Sequence, residues 1–498
     1  MARSGTHGTD IVQVKRLADV AAMRERLDAL GLDLPLDDEV TVGGPLARRL
    51  DFRKLRSAPN RWSILPMEGW DGTADGRPTD LVRRRWRRFG GSGAGLIWGG
   101  EAVAVVPEGR ANPNQLCIGT ESARDLTELR AELLEGWRTT AGAGDTEPLI
   151  GLQLTHSGRW ARPDGTPHPR TARTNPLLDA RVGADGRCVL TDTELEDLIG
   201  SFVGAARLAS EAGFDFVDVK QCHGYLGHEL LAALDRPGPY GGDLAGRSRW
   251  VTSILDAIAA DVPGLGLGSR VSIYDMVPFT AGPDGSGVPD TGDGTDPAPF
   301  CFGGDGTGVG VDLTETHELM EILVAHGVEL VCATAGSPYY VPHAQRPAYF
   351  PPSDGYRPPT DPLVEVARMA AATRDVTSAH PDLVVVGSGL TYLQDHLANA
   401  AQALVREGWM GSAGIGRMAL SQPSLPADSL AGRSPVRRLV CRTFSDCTTA
   451  PRNGLVSGCY PLDDFYNERP ERLELAAFKR AARGALKGKP DEADDGGS

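Results

Sequence analysis

No run of about 18 apolar residues occurs in this chain, so no segment reads as a membrane span. Residues 1–20 lack the apolar core of a secretion signal, which makes a cytoplasmic location the expectation. Cysteine is sparse, eight among 498 residues and mostly scattered, which excludes a disulfide-held scaffold and suits a reducing compartment. Basic residues are in deficit: Lys and Arg total 51 against 66 acidic residues, a net charge of −15. Nucleic acid and anionic membrane both need a basic face, so neither is expected as a partner. No Gly-x-Gly-x-x-Gly follows a predicted strand, so a separate nicotinamide-binding domain is not expected. Aromatic residues make up only 6%, yet the apolar share of 41% suffices for a large core.

What the chain does have is alternation. Short apolar runs, read as strands, recur at Asn60–Pro66, Ala94–Trp98, Pro148–Leu154, Phe214–Val219, Leu267–Tyr274, Val328–Ala333, Leu383–Val386 and just before Gly414. Helical patterns separate them, among them Pro78–Phe89, Thr120–Ala141, Thr191–Ala212, Leu244–Ala260, Leu313–Ala325, Pro362–Thr373 and Leu393–Glu407. Eight strand-then-helix units predict a closed (β/α)8 barrel of the α/β class. It spans residues 44–431, behind an N-terminal helical extension, 1–43, whose helix is Ile11–Leu30. Residues 432–487 read as a C-terminal extension packing on the barrel, and 488–498, acidic and Gly-rich, as disordered. Two stretches lack periodicity: Trp160–Cys188, a loop over the strand ends, and 275–311, an insertion read as a lid.

The fourth strand carries the most telling chemistry. Its apolar run ends in Lys220, His223 and Tyr225, and the strand ends of such a barrel are where active sites form. Two glycine loops, Gly387-Ser388-Gly389 and Gly414-Ile415-Gly416-Arg417, close strands seven and eight. Loops there suit a phosphate, with backbone N–H groups and an arginine fork as donors. A lone His156 reads as a structural hydrogen-bonder, and His228, a turn beyond Tyr225, as a support for the site.

Six motifs in order resemble the Old Yellow Enzyme family, from about Asn60 to Gln422. They are Asn60-Arg61 with Pro66-Met67, Glu101-Ala102 with Pro107-Glu108-Gly109-Arg110, Gln153 to Arg159, His223-Gly224-Tyr225-Leu226, Tyr240-Gly241-Gly242 with Arg247, and Gly414 to Arg417. The resemblance implies an FMN-dependent oxidoreductase of ene-reductase type, using NADH or NADPH as transient electron donor. It implies Pro66, Met67 and Ala102 along the flavin ring, Gln153 on its pyrimidine edge, and Arg247 near its N1–C2=O side. Gly389, Gly416 and Arg417 would hold the FMN phosphate, and Tyr225 would be the proton donor to an α,β-unsaturated carbonyl.

Two residues depart from that pattern. Lys220 stands where the family has a histidine, and with His223 it would face the substrate oxygen. It could stabilise an enolate, act as a base, or pair with Asp218 or Glu101. Glu68 replaces a small residue beside the flavin; it is protonated, pairs with Lys220, or points away. These departures motivate an alternative, a dehydrogenase or oxidase acting on a C–H or C–N bond. A second alternative is a phosphate-ligand-binding barrel without redox chemistry. Some larger relatives hold an iron–sulfur cluster, but the spacing of Cys441, Cys447 and Cys459 differs and a fourth ligand is lacking, so these read as structural thiols and no metal is expected. The substrate is a small molecule of open identity, and oligomeric state is open, homo-oligomer included.

Overall fold

The structure is a computed structural model describing residues 11–119, 121–140, 146–290 and 300–487. Its strands are β1 (Trp62–Ile64), β2 (Leu96–Ile97), β3 (Ala102–Ala104), β4 (Leu149–Thr155), β5 (Phe216–Val219), β6 (Gly266–Tyr274), β7 (Phe279–Ala281), β8 (Gly287–Pro289), β9 (Val328–Ala335), β10 (Val384–Gly387) and β11 (Ser412–Ile415). Eight of them form a closed parallel barrel in the order β1-β2-β4-β5-β6-β9-β10-β11, and β11 returns to β1 through the register Ser63↔Gly414. Strand β3 extends the edge of β4, with Ala102 opposite Gln153. The chain has the (β/α)8 architecture that its alternating pattern predicts.

Strand formation follows from apolar runs that are covered on both faces. Every residue of β4 and β5 is buried, inside by the barrel core and outside by helices. Within the barrel, Trp98 meets Phe216 edge-on, ring centres 5.3 Å apart. Gly151 makes room for that pair: a Cβ there would lie 2.2 Å from the Phe216 ring. Several helices start at side-chain caps. Thr191 and Glu194 form a capping box on helix Asp192–Glu211, and Asp243 accepts from Gly246 N–H at the start of Leu244–Asp261. The base of the barrel is stoppered by the N-terminal segment, where Leu50 and Ala58 pair and Glu329 accepts from the Lys54 and Leu55 N–H groups. Polar chemistry is left to the opposite end.

Three expectations need correction. The helix expected over Ile11–Leu30 is a 3-10 turn at Val14–Arg16 and a helix only over Val20–Ala29, because Asp19 caps the Ala22 N–H and restarts the chain there. The loop expected over Trp160–Cys188 contains helix Pro176–Val182, begun by an Asn175 cap with proline in its first turn and stopped by left-handed Gly183. The stretch 275–311 contains the antiparallel hairpin β7–β8, so its described part is not irregular throughout. Residues 291–299 of that expected lid, and the tail 488–498 expected to be disordered, lie outside the described residues.

Candidate active site

At the C-terminal mouth of the barrel lies a cavity with about 1010 Å³ of space free of protein atoms, open in part to solvent. Its walls bring together Pro66, Met67, Glu68, Lys220, His223, Tyr225, Gly389, Gly416 and Arg417, nine residues singled out in the sequence. Backbone geometry explains how three of them share one wall. Strand β5 ends at Val219, and the chain then turns back through two left-handed residues, His223 at φ 67° and Gly224 at φ 74°. Such a conformation costs a non-glycine residue about 1 kcal/mol. It is held by His223 N–H on Ser272 Oγ, by Ser337 Oγ–H on the His223 carbonyl, and by Gly224 N–H on His228 Nδ1. The turn aims Tyr225 into the cavity and starts helix Leu226–Leu231.

Lys220 does not pair with Asp218 or Glu101. Its ammonium lies 3.2 Å from Glu68 Oε1 and 4.0 Å from the centre of the Tyr225 ring, with a side chain only 2% exposed. Glu68 therefore takes the paired arrangement of the three open to it. Asp218 instead accepts from Trp98 Nε1–H, Gln153 Nε2–H and Arg270 N–H, and burial raises its carboxyl above the ordinary range. His223 Nε2 meets the Gln345 side-chain amide at 3.1 Å. Burial, then the charges of Arg270 and Lys220, hold its imidazole well below the usual histidine range, so it is neutral near pH 7.

The loop that carries Met67 and Glu68 is braced from below. Arg85 joins Asp71 and Glu101 in a buried cluster, and Glu101 Oε2 accepts from Gly69 N–H at 3.3 Å. Burial raises Glu101 to about 7, against the pull of Arg85.

Three expected residues lie elsewhere. Gln153 is turned toward Asp218 inside the barrel, and Ala102 sits opposite it on β3, so neither lines the cavity. Arg247 is the larger correction. It lies on helix Leu244–Asp261 outside the barrel, where its guanidinium donates to the carbonyls of Gly242 and Leu231 and pairs with Glu315. Arg270 reaches the cavity instead, from the middle of β6, and among the described residues its buried Nε–H has no hydrogen-bond partner. An arginine within an apolar strand was the available signal for it.

The far end of the cavity is cationic. Arg417 donates to the Pro347 carbonyl at 3.0 Å, while its buried Nη1 has no hydrogen-bond partner among the described residues. Arg346, unforeseen in the sequence, donates to Thr448 and Ser445 hydroxyls, and its buried Nε likewise has no hydrogen-bond partner among the described residues. Burial and the neighbouring Arg417 lower Arg346 to about 10, and burial lowers Arg417. Two buried cations satisfied only by neutral groups suit a dianion. Gly389, at φ 81°, and Gly416 leave the backbone open beside them. The unfilled donors, bare backbone and cavity size fit a flavin mononucleotide, whose phosphate Arg417 and Gly416 would hold.

The C-terminal extension completes the wall with Cys447, Thr448, Pro451 and Arg452. Behind it, Cys441, Cys447, Cys459 and Phe444 line a separate small cavity. Among the described residues, no group of three or more His, Cys, Asp or Glu is placed to hold a metal ion, and no helix is long and apolar enough to cross a membrane.

Residues 59–283 match the family model described as NADH:flavin oxidoreductase / NADH oxidase family. Among its relatives, 12-oxophytodienoate reductase 1 of Oryza sativa subsp. japonica is 33% identical over 183 residues, 35% of this chain and 45% of the relative. The chain spans about half the length of the curated relatives it matches. Two solved structures share the fold. The Old Yellow Enzyme homologue of Zymomonas mobilis aligns with a TM-score of 0.53 at 19% identity, over 77% of this chain and 91% of its own. Histamine dehydrogenase of Rhizobium sp. 4-9 aligns with 0.59 at 18% identity, over 85% and 53%.

Proposed function

We propose that this protein is an FMN-dependent oxidoreductase that reduces an α,β-unsaturated carbonyl compound at the expense of NADH or NADPH. The observation that carries the reading is one cavity holding a proton-donating Tyr225, a buried Lys220 and an uncompensated arginine pair. Bound FMN would supply hydride transfer to and from its ring. The protein's part is electrostatic and protonic. Lys220, buried beside the cavity, stabilises negative charge developing on the substrate oxygen, and its position is fixed by Glu68. Tyr225 gives a proton to the carbon next to the carbonyl. His223, neutral and joined to Gln345, shapes the oxygen end of the pocket with Lys220. Arg270 offers positive charge on the cavity floor in the role that the resemblance implied for Arg247.

The test is anaerobic. Purified protein is reconstituted with FMN, reduced with NADPH or NADH, and mixed with 2-cyclohexen-1-one while flavin absorbance and saturated ketone are followed. Reoxidation with ketone formation supports the reading; a flavin that neither nicotinamide reduces ends it. A second reading, oxidation of a substrate C–H or C–N bond, draws on the Lys220–Glu68 pair and on the fold shared with histamine dehydrogenase. Bleaching of the flavin by an amine without nicotinamide would favour it. Absence of a flavin absorption band after FMN addition would leave a non-redox ligand barrel.

A further inference from the structure

Tyr225 is 3% exposed, and among the described residues its hydroxyl has a single hydrogen-bond partner, the hydroxyl of Tyr339 at 3.1 Å. Tyr339 stands between β9 and helix Pro342–Gln345, on the far side of the mouth, and is half-buried where Tyr225 is enclosed. Its ring is clamped. It stacks on Trp160 with centres 4.4 Å apart and planes 6° from parallel, and Arg452 lies 5.4 Å above it. Its N–H donates to Ser337 Oγ, the same hydroxyl that fixes the His223 turn. Lys220 offers no competing route: its ammonium contacts the Tyr225 ring and Glu68, not the phenol oxygen.

We propose that Tyr339 returns a proton to Tyr225 after each turnover, so that the two phenols form a relay from the solvent edge to the buried donor. The proposal rests on the enone-reductase reading. In that reaction the β-carbon receives a hydride equivalent that originates in NAD(P)H, and the C=C π pair moves onto the α-carbon and carbonyl oxygen. The Tyr225 O–H bond then breaks as the α-carbon–hydrogen bond forms. This leaves a phenolate with almost no water around it, an expensive charge to hold. Transfer of the Tyr339 proton across 3.1 Å neutralises it, and water at the rim reprotonates Tyr339. One hydride and one proton are consumed in total. Burial raises Tyr339 to about 12 and Tyr225 well above 10, the larger shift falling on the more enclosed group. Proton flow inward from Tyr339 is therefore the favourable direction.

The experiment compares wild type, Tyr339→Phe, Tyr225→Phe and the double variant in FMN-loaded protein with NADPH and 2-cyclohexen-1-one. Phenylalanine keeps the stack on Trp160 and deletes only the hydroxyl. Tyr339→Phe is expected to lower kcat on the order of tenfold, within the range of general-acid effects, with KM changed less than twofold. Proton inventories in H2O–D2O mixtures are expected to be curved for wild type and linear for Tyr339→Phe. In the Tyr225→Phe background, Tyr339→Phe should have no further effect, as expected of two groups acting in series. In flavin-free protein labelled with 3-fluorotyrosine, Tyr339→Phe should also shift the Tyr225 fluorine resonance. Wild-type kcat and inventory in Tyr339→Phe would overturn the relay alone, as would a pure KM effect or full additivity in the double variant. If no enone reoxidises reduced wild type, the relay falls together with the reading beneath it.

Discussion

On the proposed reading Lys220 faces the substrate oxygen, and its removal should show in rate rather than in folding. Lys220→Met is expected to cost about 100-fold in kcat/KM on an enone, or nearly 3 kcal/mol of transition-state stabilisation. Flavin binding, read by fluorescence quenching, should change far less. Arg247 and Arg270 should separate in the opposite sense. Arg247→Met leaves Glu315 and two carbonyls without their donor and is expected to lower stability by about 3 kcal/mol in urea melts. Arg270→Met should leave stability nearer wild type and make the flavin harder to reduce, read as a more negative potential. His228 supplies a pH signature. Burial lowers its folded-state value to about 3, whereas the unfolded chain titrates near 6.5. The folded state thus binds fewer protons, and the stability that His228 contributes is complete above 6.5 and lost as pH falls toward 3. Relative to His228→Gln, wild type should lose about 1 kcal/mol between pH 7.5 and 5.5, measured by urea melts at both. At this scale the sequence was readable wherever a polar residue ended an apolar run, as Lys220, His223 and Tyr225 do. It failed at Arg270 because a charged residue inside a strand looks like a flaw in the pattern, and at Arg346 because only tertiary packing brings it to the mouth.

Elements show a similar division. Long strands and capped helices follow from period and cap residues, and all eight barrel strands overlap the apolar runs or the Gly414 loop that announced them, several overrunning by a residue or two at one end. Short elements do not have that redundancy: helix Pro176–Val182 is seven residues, too short for a repeating face, and hairpin β7–β8 is anchored by aromatic packing from Tyr356 against Gly287. The C-terminal extension was legible as a packing segment but not as a wall of the site. Helix Asp446–Arg452 supplies Cys447, Thr448, Pro451 and Arg452 to the cavity, and Ser445 and Thr448 hold Arg346 in place. Truncation after residue 431 is therefore expected to weaken FMN binding by at least tenfold, measured by equilibrium dialysis. An unchanged affinity would show that the arginine pair orients without the tail.

For the whole molecule, a ligand that bridges β1, β10 and β11 loops should act as a fastener. Free FMN at 100 times its dissociation constant would add about 2.7 kcal/mol to the folded state. A rise in Tm with FMN, and a smaller one with riboflavin, is expected in thermal scans, because only the former carries a phosphate for Arg417. The closed sheet has one more consequence, which concerns time rather than energy. Ser63 and Ser412, whose hydroxyls touch across the β1–β11 seam, are 349 residues apart in sequence. At synthesis rates of about 5–20 residues per second, β1 waits roughly 20 to 70 s for its neighbour. Throughout that interval the nascent sheet has two open edges, each able to pair with a stranger. The seam thus makes the ribosome-bound chain a prolonged client for chaperones, and puts the vulnerable moment of this protein's life before its active site exists.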